Sequence, residues 1–166
     1  MPKISQTHGK YKGVVVSITD VRKIRAKMAE RFQDAKDFII FRFTQIGEEA
    51  VKIAREKLPE DGSFHDVTGN LRSSIGYVVL HDGREVPVKD GVKAYPKGES
   101  GAKGVAEAQQ LMSRLKAKFP YGIVLILCAG MEYAAFVENV KHKDVLTSAS
   151  HLAEALVNKL LKNIVD

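Results

Sequence analysis

Ile123-Val124-Leu125-Ile126-Leu127-Cys128 is the most apolar run in the chain, and Gly122 and Gly130 bound it on either side. Six aliphatic or thiol side chains without a polar alternation suit a strand covered on both faces, so the run is expected to be the central strand of a sheet. Its neighbours follow from local chemistry. Residues 74–81 have strand composition, Asp82-Gly83 supplies the positive backbone angles of a tight hairpin, and residues 84–88 return. Pro87 lacks an amide hydrogen, which places the returning strand at a sheet edge. The β-branched stretch Val14-Val15-Val16-Ser17-Ile18 suits a further strand or an extended lead-in.

Helical periodicity surrounds these strands. Thr19-Asp20 offers an N-cap, and from Val21 to Ala54 the apolar positions recur mostly at threes and fours, which predicts a helix over 20–57. Such a helix measures about 57 Å at 1.5 Å per residue. A compact chain of this size has a gyration radius near ~15 Å, so the helix is expected to overhang its domain or to bend. Phe38, Ile39, Ile40, Phe41 and Phe43 crowd more than one face. Either a neighbouring subunit covers the excess or the helix breaks near Gly47, where glycine costs ~1 kcal/mol relative to alanine. Val105, Ala108, Met112, Leu115 and Phe119 predict a second helix closed by Pro120. Val145, Ala149, Leu152, Leu156, Leu160 and Ile164 predict an amphipathic helix at the C-terminal end. The expected architecture is α+β: an antiparallel sheet of about four strands with the long N-terminal helix and the C-terminal helix packed on one face.

The chain has 166 residues, 45% hydrophobic and 28% charged, enough for one domain that hides roughly 70% of its unfolded surface. This composition excludes collagenous, mucin-like and wholly disordered chains. Residues 1–12 read as a basic flexible arm and 13–166 as a single domain. Residues 89–104, rich in glycine and lysine, read as a flexible connection. The net charge of +6 is concentrated in residues 1–31, and the remainder sums to zero. A one-sided field of this kind suits an acidic partner such as a nucleic-acid backbone, or else a solvated arm. The first residues lack the apolar stretch of a secretory signal, and no run approaches the ~20 residues that span a bilayer, so a soluble, unexported protein is expected.

Catalytic patterns are sparse. The five histidines have no paired metal-ligand spacing, and one cysteine cannot build a thiolate cluster. Cys128, at the end of its aliphatic run, is expected to be a buried, inert thiol. His65-Asp66 forms an acid–base pair only if a cleft gathers them, with Arg72, away from solvent. The glycine-rich 98–104 segment lacks the Gly-Lys-Ser/Thr of a phosphate loop.

Two segments rise above this background. Thr68-Gly69-Asn70-Leu71-Arg72-Ser73-Ser74-Ile75, preceded by Asp66, resembles the Asp-Thr-Gly-x-Leu-Arg-x-Ser-Ile signature of the tail-completion, or head–tail joining, family of long-tailed lambdoid-type bacteriophages. Tyr133-Ala134-Ala135-Phe136-Val137-Glu138 resembles that family's Tyr-Ala-x-Tyr/Phe-Val-Glu segment, and the element order is similar too. Val67 between Asp66 and Thr68, and Asn139-Val140 after the glutamate, depart from the pattern. The resemblance implies a non-enzymatic virion component of the tail or neck, made in the bacterial cytoplasm. It would work without cofactor, metal or membrane, as a homo-oligomeric ring joined to neighbouring neck or tail proteins. The alternative is a nucleic-acid-binding module using residues 1–31.

The residues themselves suggest roles within such a protein. Thr68-Gly69 is expected to turn, Leu71 and Ile75 to plug the core, and Arg72 to hold a carboxylate or backbone carbonyls by its planar fork. Glu138 is the expected partner of Arg72, while Tyr133, Phe136 and Val137 are expected to bury at the end of the sheet.

Overall fold

The computed structural model describes residues 4–6, 15–17, 20–98 and 100–165. The chain divides into two units, Met1–Asp37 and Phe38–Asp166. In the first unit, β1 (Ile4–Gln6) pairs antiparallel with β2 (Val15–Ser17), with Ser5 opposite Val16. The remainder of the expected arm at 1–12 lies outside the described residues. Helix α1 (Val21–Glu56) starts in this unit. Its first amides are satisfied by the Asp20 carboxylate, which accepts from Arg22 N at 3.1 Å and Lys23 N at 3.4 Å. This is the expected cap chemistry.

In the second unit, α1 is followed by α2 (Asn70–Ser74), β3 (Ile75–His81), β4 (Arg84–Glu85), α3 (Ala102–Lys116), β5 (Ile123–Ala129), α4 (Ala134–Asn139) and α5 (Thr147–Val165). The three strands form an antiparallel sheet in the order β4-β3-β5. The fold class is α+β, with three strands in the sheet rather than four, because the strand expected at 14–18 pairs with β1 in the first unit. The apolar run at 123–128, expected to be central, is therefore not the centre. That place belongs to β3, six of whose seven residues are buried, whereas β5 lies at the edge and is largely half-buried. Both strands are apolar because helices cover both faces of the sheet.

The period of two divides β3 cleanly. Ile75, Tyr77 and Val79 face a core shared with Phe43, Ile46, Ala50 and Ala54 of α1 and with Ala149, Ala153 and Leu160 of α5. Val78 and Leu80 face the other way, onto Met112 of α3 together with Ile126 and Cys128. The two long helices thus share one face, as expected, and α3 covers the other. The hairpin between β3 and β4 turns through Asp82 and Gly83 at φ of 50° and 75°.

Helix α1 runs unbroken through Gly47. A β-carbon at that position would lie 2.3 Å from Cδ2 of the Tyr77 ring, so glycine is needed there for close approach of the ring and not as a break. Along the solvent side, Phe38 and Phe41 are 50% and 58% exposed. The surplus of apolar side chains seen in the sequence is therefore real.

Candidate functional site

The first motif builds the joint between α1, the sheet and α3. Gly69 adopts φ +77°, the left-handed conformation that opens α2. Both oxygens of Asp66 are used on the turn, accepting from Gly69 N at 3.0 Å and Arg72 N at 2.7 Å. Thr68 Oγ1 accepts from the Asn70 amide at 3.3 Å. Leu71 and Ile75 are buried in the core, as expected.

Arg72 is itself buried, and its donors go to backbone carbonyls. It donates to Arg55 O, to Lys57 O at 3.0 Å and to Phe64 O at 3.2 Å. The carbonyls of Arg55 and Lys57 belong to the end of α1, where helical geometry leaves acceptors without partners and the macrodipole favours a cation. The guanidinium also stacks 4.8 Å from the Phe64 ring centroid and 5.5 Å from that of Tyr95. Arg55 repeats the device from the helix side, donating to Ile75 O at 3.1 Å and to Lys93 O at 3.0 Å. Burial pulls its pKa below the ordinary arginine value, and the negative charge of Asp90 opposes that pull. Nothing in the sequence singles out Arg55, because its partners lie twenty and thirty-eight positions away.

The glycine-lysine segment is tied to this motif. Ser100 N donates to Thr68 O at 3.1 Å, Tyr95 N to Ser73 Oγ at 2.8 Å, and Gly104 N to Asn70 Oδ1 at 3.3 Å. Gly98 lies so close to Gly69 that a β-carbon on either would come within 2.6 Å of the other's Cα. These contacts draw α3 in from Ala102, ahead of the first apolar position at Val105.

The second motif corrects the expectation in two respects. Glu138 does not meet Arg72. Its Oε1 accepts from Leu146 N at 3.1 Å, Thr147 N at 2.7 Å and Thr147 Oγ1 at 2.5 Å, so it caps α5. Burial pushes the Glu138 carboxyl upward, but these hydrogen bonds outweigh it and hold the group below the ordinary value. Tyr133 and Phe136 are not buried at the sheet end. They are 42% and 50% exposed, on and just before α4, where Ala134 is the residue that faces the core and Val137 is half-buried. The short helix has one inward face, and a small side chain fills it. Lys141 sits 5.7 Å over the Phe136 ring.

The motifs approach one another through other groups. Burial first, and the charge of Asp66 second, raise the Tyr133 hydroxyl above the ordinary tyrosine value. Lys57, whose carbonyl accepts from Arg72, places Nζ 2.5 Å from Asp144 Oδ2, and Asp144 Oδ1 accepts from Ser148 N at 3.1 Å in the first turn of α5.

The acid–base grouping does not assemble. His65 is exposed, Asp66 is engaged by amides, and Arg72 is enclosed by carbonyls. A cavity of about 740 Å³ lies elsewhere, between α3 and the segment after β4, with Tyr77, Lys89 and Gln109 in its lining. Cys128 is buried as expected, and burial pushes its thiol up to about 11. Among the described residues no three His, Cys, Asp or Glu side chains gather where they could hold a metal ion, and no helix is long and apolar enough to cross a membrane. No family model, curated protein or solved structure matches the chain.

Proposed function

We propose that this chain is a structural virion protein of a long-tailed bacteriophage, acting at the head–tail junction or tail end by assembling into a ring. Two sequence motifs and one structural feature support this role. The second unit leaves large apolar side chains uncovered between α1 and α5. Phe38 and Phe41 flank a groove of about 420 Å³ whose lining includes Leu156 and Ile164. Apolar patches of this kind are the raw material of subunit contacts, and heterologous contacts repeated around an axis close into a ring. The motif residues support a structural role as well, since Asp66, Arg72 and Glu138 spend their hydrogen bonds on joints and caps.

Negative-stain microscopy and light scattering of the purified chain test the proposal. Closed rings are expected, and replacing Phe38 and Phe41 together by Glu is expected to abolish them while the circular dichroism stays unchanged. A wild-type chain that never exceeds a dimer, alone or mixed with tail tubes, would overturn it.

A second reading, nucleic-acid binding, is favoured by the exposure of Arg22, Lys23, Arg25, Lys27 and Arg31 on α1. It requires affinity for duplex DNA that falls steeply with salt, because neutralised phosphates release counterions. Absence of binding at low salt would dismiss it.

A further inference from the structure

The sheet of the second unit has two unlike edges. β4 is two residues long, both exposed and charged, and Pro87 follows it. Short, charged, proline-terminated strands discourage further pairing. β5 has none of these guards. It is seven residues of Ile, Val, Leu, Cys and Ala, with neither charge nor proline.

Register identifies which of its backbone groups are unused. Gly130 N donates to Ser74 O at 2.9 Å and Asp82 N to Gly122 O at 2.8 Å, so the hydrogen-bonded pairs with β3 fall at even positions of β5: Val124, Ile126 and Cys128. The amides and carbonyls of Ile123, Leu125, Leu127 and Ala129 point outward, and among the described residues nothing hydrogen-bonds to them. Beside this edge runs a groove of about 350 Å³ lined by Phe43, Leu125, Ala153 and Val157.

We propose that the outer edge of β5 pairs antiparallel with β5 of a second copy of this chain, about a two-fold axis at Ile126, to make a continuous six-stranded sheet. The four outward residues are evenly spaced and symmetric about Ile126, so they are complementary to themselves. Ile123 faces Ala129 of the second copy and Leu125 faces its Leu127, and the reciprocal pairs follow. That register uses every outward group in about eight hydrogen bonds, two per pair, whereas a slip of two residues strands one pair. Residues directly opposite in an antiparallel pair share a face, so the second copy's Leu125 and Leu127 enter the groove beside Ala153 and Val157. The guarded edge disfavours head-to-tail pairing of β5 with β4, and the self-complementary register of β5 favours the isologous contact. This inference stands on β5 alone and does not rest on the phage reading.

The test uses the full chain carrying Phe38→Glu and Phe41→Glu, so that ring contacts through the other groove do not obscure the result. Light scattering after size exclusion is expected to give twice the chain mass of 18.3 kDa. Adding Leu125→Pro removes an amide that β3 does not use, and is expected to halve the mass with the thermal melt still cooperative. Independently, Val124→Cys places a thiol opposite Cys128 of the second copy, at a non-hydrogen-bonded pair whose ~4.5 Å Cα separation admits a disulfide. Mild oxidation is expected to yield a covalent dimer that reductant dissolves. A monomer before Leu125→Pro is added, a dimer that survives it, or failure of the Val124→Cys variant to cross-link would each overturn the proposal.

Discussion

Replacing Arg72 by Ala removes three hydrogen bonds to carbonyls and a guanidinium stacked on Phe64, from a position only 7% exposed. Hydrogen bonds to a charged donor contribute about 1.5–3 kcal/mol each, but water entering the space left by the side chain recovers part of the loss at the carbonyls. A net cost of about 4 kcal/mol follows, in the range seen when one member of a buried polar network is cut. For a domain of this size each kcal/mol moves the midpoint by roughly 2–4 °C, so the melting temperature falls by roughly 10 °C. Arg72→Lys keeps the charge and loses the fork, and it should lie closer to the alanine variant than to the parent. The decisive measurement is a double-mutant cycle with Glu138→Gln by urea denaturation. Arg72 and Glu138 serve different helix ends, so their effects should add to within about 0.5 kcal/mol. A melting temperature within about 2 °C of the parent, or a coupling above about 1 kcal/mol, would refute this account of the joint.

Gly47→Ala ordinarily stabilises a helix interior by about 1 kcal/mol. Here the added methyl meets the Tyr77 ring, overpacking costs about 1–3 kcal/mol, and the variant should melt below the parent. Adding Tyr77→Leu should relieve the clash, and a Gly47→Ala protein that melts higher would disprove the close approach. Acid sensitivity follows from the two depressed carboxylates. Burial raises Asp144, but hydrogen bonds from Lys57 and Ser148 and the Lys57 charge outweigh it, so Asp144, like Glu138, lies below its ordinary value. Their contributions are fully present above the ordinary value of 4.5 for Glu138 and 3.8 for Asp144, and are lost as pH falls through the lower folded values. Urea midpoints should therefore hold level from neutral pH to about 5 and drop below about 4.5, less steeply in Glu138→Gln. A midpoint unchanged at about pH 3 would remove both caps from the stability of the fold.

Much of the fold is legible in the sequence because much of it is local. The Asp20 cap, the three-and-four spacing of α1, α3 and α5, and the Asp82-Gly83 hairpin are set by residues within a few positions of one another. So is the turn at Gly69. The candidate site is less legible. Its motif residues are visible, but the partners of Arg72, the role of Arg55 and the docking of the glycine-lysine segment depend on groups far apart in the chain.

Composition and periodicity determined by themselves that this is an α+β chain with two long helices on one sheet face, and that the first of them carries more apolar side chains around 38–43 than a single core stripe requires. Tertiary structure alone decided that β3 and not β5 is central, that Gly47 admits a tyrosine ring, that Arg72 and Glu138 finish different helices, and that Tyr133 and Phe136 face outward. The reason is physical. Period and capping are near-neighbour effects, whereas strand order, and the acceptor a buried guanidinium finds, are settled only when distant segments compete for the same space and the same hydrogen bonds.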